Sequence, residues 1–131
     1  MFGIKSEEKE NIIKYRQQAG IIIQKVLHGD LQVRVALLNF PKDIYDESVK
    51  AAWHALCHLG SDEELRLKDT LYAEEQDLFL KQISHTLMTG GALPDYVTDA
   101  YKPYYDEPLT PHKKGIKGFF AKMRNFLVLK K

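Results

Sequence analysis

The sequence predicts an all-α protein, a compact bundle of four to five helices. Between residues 6 and 88, apolar residues recur at steps of three and four, which is the period of an amphipathic helix. Residues suited to start or stop helices stand between these segments, and no two segments pair convincingly as strands. The 131 residues, 44% hydrophobic and 28% charged, are typical of one globular domain.

The first helix is expected at residues 6 to 28. Ser6 can cap it, and its apolar stripe is Ile12, Tyr15, Ala19, Ile22 and Val26. Gly20 is expected to weaken the middle of this helix by about 1 kcal/mol relative to alanine. Gly29 is expected to end it.

Residues 31–40 fit two structures. Leu31, Val33, Val35 and Leu37 alternate as in a strand, yet Leu31, Val35 and Leu38 also align on a helix. Asp30 is a suitable helix N-cap, and a strand would lack a partner to pair with. A short helix ended by Pro41 is therefore the preferred prediction.

The third helix is predicted over DESVKAAWHALCHLG, from the N-cap Asp46 to the stop residue Gly60. On a helical wheel, one broad apolar face contains Val49, Ala52, Trp53, Leu56 and Leu59. His54 and His58 lie on the opposite face, with Cys57 on its flank. This predicts that Trp53 is in the core and that both histidines point to solvent or a partner.

Ser61 and Glu64 have the spacing of a capping box, which predicts the start of another helix. That helix either runs to Met88 or is capped again at Asp69. Its core face is Tyr72, Phe79, Ile83 and Leu87. A second, narrower stripe of Leu71, Leu78 and His85 is a candidate dimer interface; the alternatives are cover by the following arm and burial in a layered core.

The chain divides into three parts by composition. Residues 1–91 are predicted to form the helical bundle, and residues 92–112 a Pro/Tyr-rich arm packed on its surface. Four of the five prolines and four of the seven tyrosines lie in that arm. Residues 113–131 are predicted to form a basic amphipathic helix. From residue 112 onward the chain has six Lys, one Arg and no acid, hence +7, and since the whole chain carries +1, residues 1–111 sum to −6.

The basic helix has three candidate roles. It can lie on an anionic membrane surface, bind a groove of a partner protein, or dock on its own domain. The residues predicted to make these contacts are Lys113, Lys114, Ile116, Lys117, Phe119, Phe120, Lys122, Met123, Arg124 and Leu127. Binding to nucleic acid is not predicted, because acids elsewhere balance the charge and no nucleic-acid-binding motif is present.

His54, Cys57 and His58 are candidate metal ligands. Their i, i+3, i+4 spacing brings them to one side of a helix, and imidazole with thiolate suits Zn²⁺. A structural site needs a fourth ligand, for example His28, Glu47 or His85, and no CxxC pair is present. The alternative is two surface histidines beside a small, partly buried cysteine.

No catalytic constellation is found, and no cofactor is predicted. Gly-x-Ser-x-Gly, P-loop and Rossmann patterns are missing, and Cys57 would need a lowered pKa to act as a nucleophile. The start MFGIKSEEKENIIK does not resemble a signal peptide, no apolar run approaches a membrane span, and there is a single cysteine, so a cytoplasmic location is expected.

The predicted function is a non-catalytic protein–protein interaction or adaptor protein, with a homodimer as one form. The first alternative is a peripheral membrane protein that uses the basic helix. The second is a metal-binding protein or metalloenzyme around His54 and His58.

Overall fold

A computed structural model of the protein describes residues 6–41 and 46–104. Within these ranges the chain forms six α-helices and no strand, which confirms the predicted all-α class. The helices are α1 (Ser6–Leu27), α2 (Val33–Asn39), α3 (Glu47–Ser61), α4 (Glu63–Lys68), α5 (Thr70–Met88) and α6 (Asp95–Tyr101), followed by a 3-10 turn (Lys102–Tyr104). The last part of the predicted arm and the whole predicted basic helix lie outside the described residues.

Helices α1 and α5 form the most extensive helix pair. They meet at Gly20, where an added Cβ would lie 2.7 Å from the carbonyl oxygen of Ser84 and 2.8 Å from Cγ of Met88. The Ser84 hydroxyl donates a hydrogen bond of 2.6 Å to the carbonyl oxygen of Gly20. Gly20 is therefore the residue that lets the two backbones approach, a role that helix propensity alone does not reveal.

Both of these helices end in the same backbone motif. Gly90 has φ +86°, its N–H donates to the carbonyl of Leu87, and the N–H of Gly91 donates to the carbonyl of Thr86. Gly29, with φ +80°, ends α1 in the same way, as predicted. These reversals satisfy the last carbonyls of α1 and α5 and direct the chain towards α2 and α6.

The ambiguous segment forms a helix, α2, from Val33 to Asn39. Ala36 and Phe40 are buried in the core, and Phe40 is already extended before Pro41. The predicted N-cap was wrong, because Gln32 takes that position and makes no side-chain capping bond.

The start of α3 is as predicted, but its end is not. The Asp46 carboxylate accepts a hydrogen bond of 3.2 Å from the N–H of Val49, as an N-cap does. Helix α3 continues through Gly60 to Ser61, so neither the stop at Gly60 nor a capping box starting at Ser61 forms. The predicted second cap is confirmed at Asp69, whose side chain accepts from the N–H of Tyr72 at 3.0 Å.

The core faces of α3 and α5 are largely as predicted. Tyr72, Phe79, Ile83 and Leu87 are all buried, and so are Val49, Ala52, Leu56 and Leu59. Trp53 is only half-buried at the edge of the core. On α1, Tyr15 is exposed, and the buried face is centred on Ala19 and Ile23.

Helix α6 packs on α3 and completes the core. Leu93, Val97 and Tyr101 belong to the same buried cluster as the residues of α3 and α5. The hydroxyl of Ser48 accepts a hydrogen bond of 2.8 Å from the N–H of Leu93, which fixes the segment before α6 to the start of α3. Residues 93–101 are therefore packed more deeply than the predicted surface arm.

Arg16 joins three parts of the chain that are far apart in sequence. Its guanidinium makes a two-pronged contact with the Asp46 carboxylate, at 3.0 Å from Nε and 2.8 Å from Nη2. Its Nη1 donates to the carbonyl oxygen of Gly90 at 3.1 Å. Because Asp46 also caps α3, this one side chain couples α1, the start of α3 and the end of α5.

Candidate functional site

The three candidate metal ligands of α3 are buried. His54, Cys57 and His58 are 6%, 4% and 1% exposed, so the prediction that the histidines point to solvent was wrong. Helix α6 covers His58, whose ring is 5.5 Å from the ring of Tyr101, whereas Cys57 lies at a cleft beside α2. His54 also makes an edge-to-face contact of 5.1 Å with Trp53. Both histidines are therefore packed as core aromatic rings.

The described residues do not supply a further ligand that would complete a metal site at His54, Cys57 and His58. Across residues 6–41 and 46–104, no three His, Cys, Asp or Glu side chains form a group that could hold a metal ion. The predicted fourth ligands His28, Glu47 and His85 are all exposed, whereas His54, Cys57 and His58 are buried.

Cys57 is an interior thiol. Burial raises the pKa of Cys57 from 9.0 to about 12. The thiolate is the nucleophilic form, so the thiol lacks the lowered pKa that nucleophilic catalysis requires. This environment is that of a core side chain.

The burial of Cys57 predicts slow alkylation. At pH 8 a pKa of about 12 leaves about a thousandfold less thiolate than a pKa of 9.0, and the greater reactivity of a more basic thiolate recovers only part of this. We expect iodoacetamide to react on the order of fiftyfold more slowly with the folded protein than with the protein in urea. Mass spectrometry over time measures both rates, and equal rates would contradict the buried position.

A polar network that the sequence did not predict fixes the bend between α3 and α5. Asp62, which is 2% exposed, accepts hydrogen bonds from the hydroxyl of Tyr72 at 2.6 Å and from Nε2 of Gln76 at 3.2 Å. Arg66 continues the network by donating to Gln76 at 2.8 Å and to Asp77 at 2.8 Å. Burial, and then the bond to Asp62, raise the pKa of Tyr72, so its hydroxyl stays a donor. The network is buried at Asp62 and reaches the surface at Asp77.

A cleft of about 760 Å³ lies where α2 faces the end of α1 and the α3–α4 bend. Its apolar lining includes Val26, Leu31, Val33, Leu37 and Leu59. Arg34, Arg66 and Glu63 also line it, and the Arg66 guanidinium is paired with Asp77. The charged groups that line the cleft therefore have both signs.

The leucine surface, defined as Leu71, Leu78 and His85 on α5, is exposed in the structure. Leu71 is 62% exposed and Leu78 is 55% exposed, while the opposite face of the same helix is buried. Leu67, four residues before Leu71 in the chain, is 80% exposed. The second stripe predicted from the sequence thus lies on the outside of the domain, where another helix can reach it.

The leucine surface has an acidic border. At about 100° per residue, Glu74 and Glu75 fall on either side of the line through Leu71 and Leu78, and the exposed Lys81 falls on the same side as Glu74. Residues 63–88 contain six acidic residues and three basic ones. An apolar strip in a segment with an excess of carboxylates is complementary to a helix with apolar and basic faces.

The candidate contact residues of the basic segment, from Lys113 to Leu127, lie outside the described residues. In the part of the chain that the structure describes, no helix combines the length and the apolar character needed to cross a bilayer. Comparison with protein-family models, with curated proteins and with solved structures finds no match to this chain.

Proposed function

We propose that this protein is a non-catalytic interaction module that binds a basic amphipathic helix of a partner protein on its leucine surface. The observation that carries the proposal is the exposure of Leu71 and Leu78, 62% and 55%, one above the other on a helix with a buried opposite face. Helix-in-groove recognition uses apolar anchors at this kind of spacing.

The acidic border selects the partner's chemistry. Self-association through the same surface would be symmetric, and a two-fold axis midway between Leu71 and Leu78 would bring Glu74 and Glu75 of one copy close to those of the other. A helix with lysine or arginine beside its apolar stripe meets these carboxylates with opposite charge. The charge pattern therefore favours a basic helix over a second copy of the chain.

The expected contribution of Leu71 and Leu78 to the binding free energy is modest but measurable. Burying a leucine side chain fully contributes roughly 1.5–3 kcal/mol, and each of these two leucines is already partly covered. Loss of both contacts is expected to cost about 2 kcal/mol of binding free energy, which corresponds to about thirtyfold in affinity.

The test is fluorescence anisotropy with the full chain and a labelled synthetic helix that has leucines at i, i+3, i+4 and i+7 and lysines elsewhere. We expect Leu71→Glu with Leu78→Glu to weaken binding about thirtyfold. The matched control is Leu38→Glu, because Leu38 is 67% exposed but lies on α2. Equal weakening by the control, or equal binding of a helix with glutamates in place of the lysines, would contradict the proposal.

Sedimentation velocity tests whether a second copy of the chain, and not a partner helix, occupies the leucine surface. The proposal predicts that the full chain sediments as a monomer at micromolar concentration. A dimer that Leu71→Glu with Leu78→Glu disperses, while Leu38→Glu does not, would make a second copy the occupant and overturn the choice of partner.

A further inference from the structure

We infer that residues 113–131 of this same chain occupy the leucine surface when no partner is bound, and that a partner helix must displace them. This inference rests on the proposed function of that surface. It states that the chain's own segment competes with a partner helix for the leucine surface. Three observations carry it: the chemistry of the segment, the charge of the surface, and the place where the described chain ends.

The segment has the chemistry that the leucine surface favours. Ile116, Phe119, Phe120, Met123 and Leu127 repeat at steps of three and four, so they share one side of a helix. Six Lys and one Arg accompany them from residue 112 onward, without an acid. The rest of the chain sums to −6, and the border of the leucine surface is part of that acidic charge.

Helix α6, which is followed only by the 3-10 turn in the described chain, packs on α3 and reaches α5 through a ring contact. The ring of Tyr101 stacks on the ring of Phe79 with centroids 6.4 Å apart, and Phe79 is the sequence neighbour of Leu78. The last described residue, Tyr104, is three residues further on. At Tyr101 the chain is therefore within a ring contact of Phe79, on the buried side of α5.

The connection is long compared with the helices that it has to pass. The eight residues 105–112 extend to about 26–29 Å. A helix with its side chains is about 10–12 Å across, so the extended connection is longer than the width of two helices. A short connection of this kind gives an effective concentration on the order of millimolar, which favours the chain's own segment over a free helix of equal intrinsic affinity.

The test uses the full chain and an introduced thiol. His85→Cys places a reporter on the leucine surface and keeps both leucines, while the native thiol, Cys57, is buried. Maleimide labelling is compared with and without Lys117→Glu, Lys122→Glu and Arg124→Glu in the segment. We expect labelling at least tenfold faster with the charge-reversed segment. Charge reversal alone disfavours the thiolate and would slow labelling, so an acceleration reports uncovering.

Two controls locate the effect. The reporter Leu38→Cys on α2 is expected to label at the same rate with either segment. Phe119→Asp with Phe120→Asp removes the apolar half of the contact and is expected to give the same acceleration at the His85→Cys reporter. Equal rates at that reporter would overturn the inference, as would protection that grows with protein concentration, which identifies a second copy as the cover.

The synthetic helix separates this inference from the proposed function. If the charge-reversed protein binds the helix at least tenfold more tightly than the native chain, both are supported. If the His85→Cys reporter is labelled at the same rate with either segment and the protein still binds the synthetic helix, the intrachain cover is rejected and the proposed function is kept. If the native segment protects the reporter but the charge-reversed protein does not bind the synthetic helix, the intrachain cover is kept and the proposed function is rejected.

Discussion

Arg16→Leu is expected to lower the free energy of unfolding by about 3 kcal/mol. The substitution removes two contacts to the Asp46 carboxylate and one to the carbonyl of Gly90. The side chains of this ion pair are only 19% and 9% exposed, so water replaces little of what is lost. The carboxylate that remains is a partly buried charge without its guanidinium, which costs more than a surface pair does.

Urea denaturation measures the loss of unfolding free energy in Arg16→Leu, and two further variants serve as comparisons. Arg16→Lys keeps the charge but cannot make the two-pronged contact, so it is expected to recover less than half of the stability. Lys102→Ala removes an exposed ion pair with Asp99 and is expected to leave the urea midpoint unchanged. If Arg16→Leu and Lys102→Ala gave the same midpoint, the coupling of α1, α3 and α5 through Arg16 would be excluded.

Gly20→Ala is expected to destabilise the protein by about 2–3 kcal/mol. In an exposed helix the same change stabilises by about 1 kcal/mol, because alanine has the higher helix propensity. Here the new Cβ would lie 2.7 Å from the backbone carbonyl oxygen of Ser84, so α1 and α5 must separate. The separation also stretches the hydrogen bond from Ser84 to Gly20.

The decisive result is whether Gly20→Ala lowers or raises the stability of the protein. Thermal unfolding followed by circular dichroism measures it, with Gln18→Ala as the control because Gln18 is exposed on the same helix. The control is expected to change stability by less than about 0.5 kcal/mol. A stabilised Gly20→Ala protein would show that the two helices do not approach closely at this residue.

Local patterns predicted the helices because their signals are local. The apolar period, the Asp46 and Asp69 caps and the glycine after α1 each depend on residues within one or two turns. The same reasoning identified the stripe of Leu71, Leu78 and His85, because it lies on a different side of α5 from Phe79 and Ile83, but it left open whether the stripe is exposed.

The errors arose where a distant residue determines the local structure. Ser61 and Glu64 have the spacing of a capping box, but the neighbouring Asp62 is buried against Tyr72 and Gln76, ten and fourteen residues later. The helical wheel placed His58 towards solvent because it compared α3 only with itself, and α6 supplies the cover. Gly20 was likewise judged by propensity, whereas its role is set by Ser84, sixty-four residues away.

The contact between α1 and α5 also sets an order of events during synthesis. The residues that meet there are sixty-four positions apart, so the first helix is made long before its main partner. At about 5–20 residues per second, the apolar face around Ala19 and Ile23 waits roughly 3–13 s after it is synthesised. During that interval the face is exposed to solvent and to other chains, and variants that weaken the later docking step prolong the exposure.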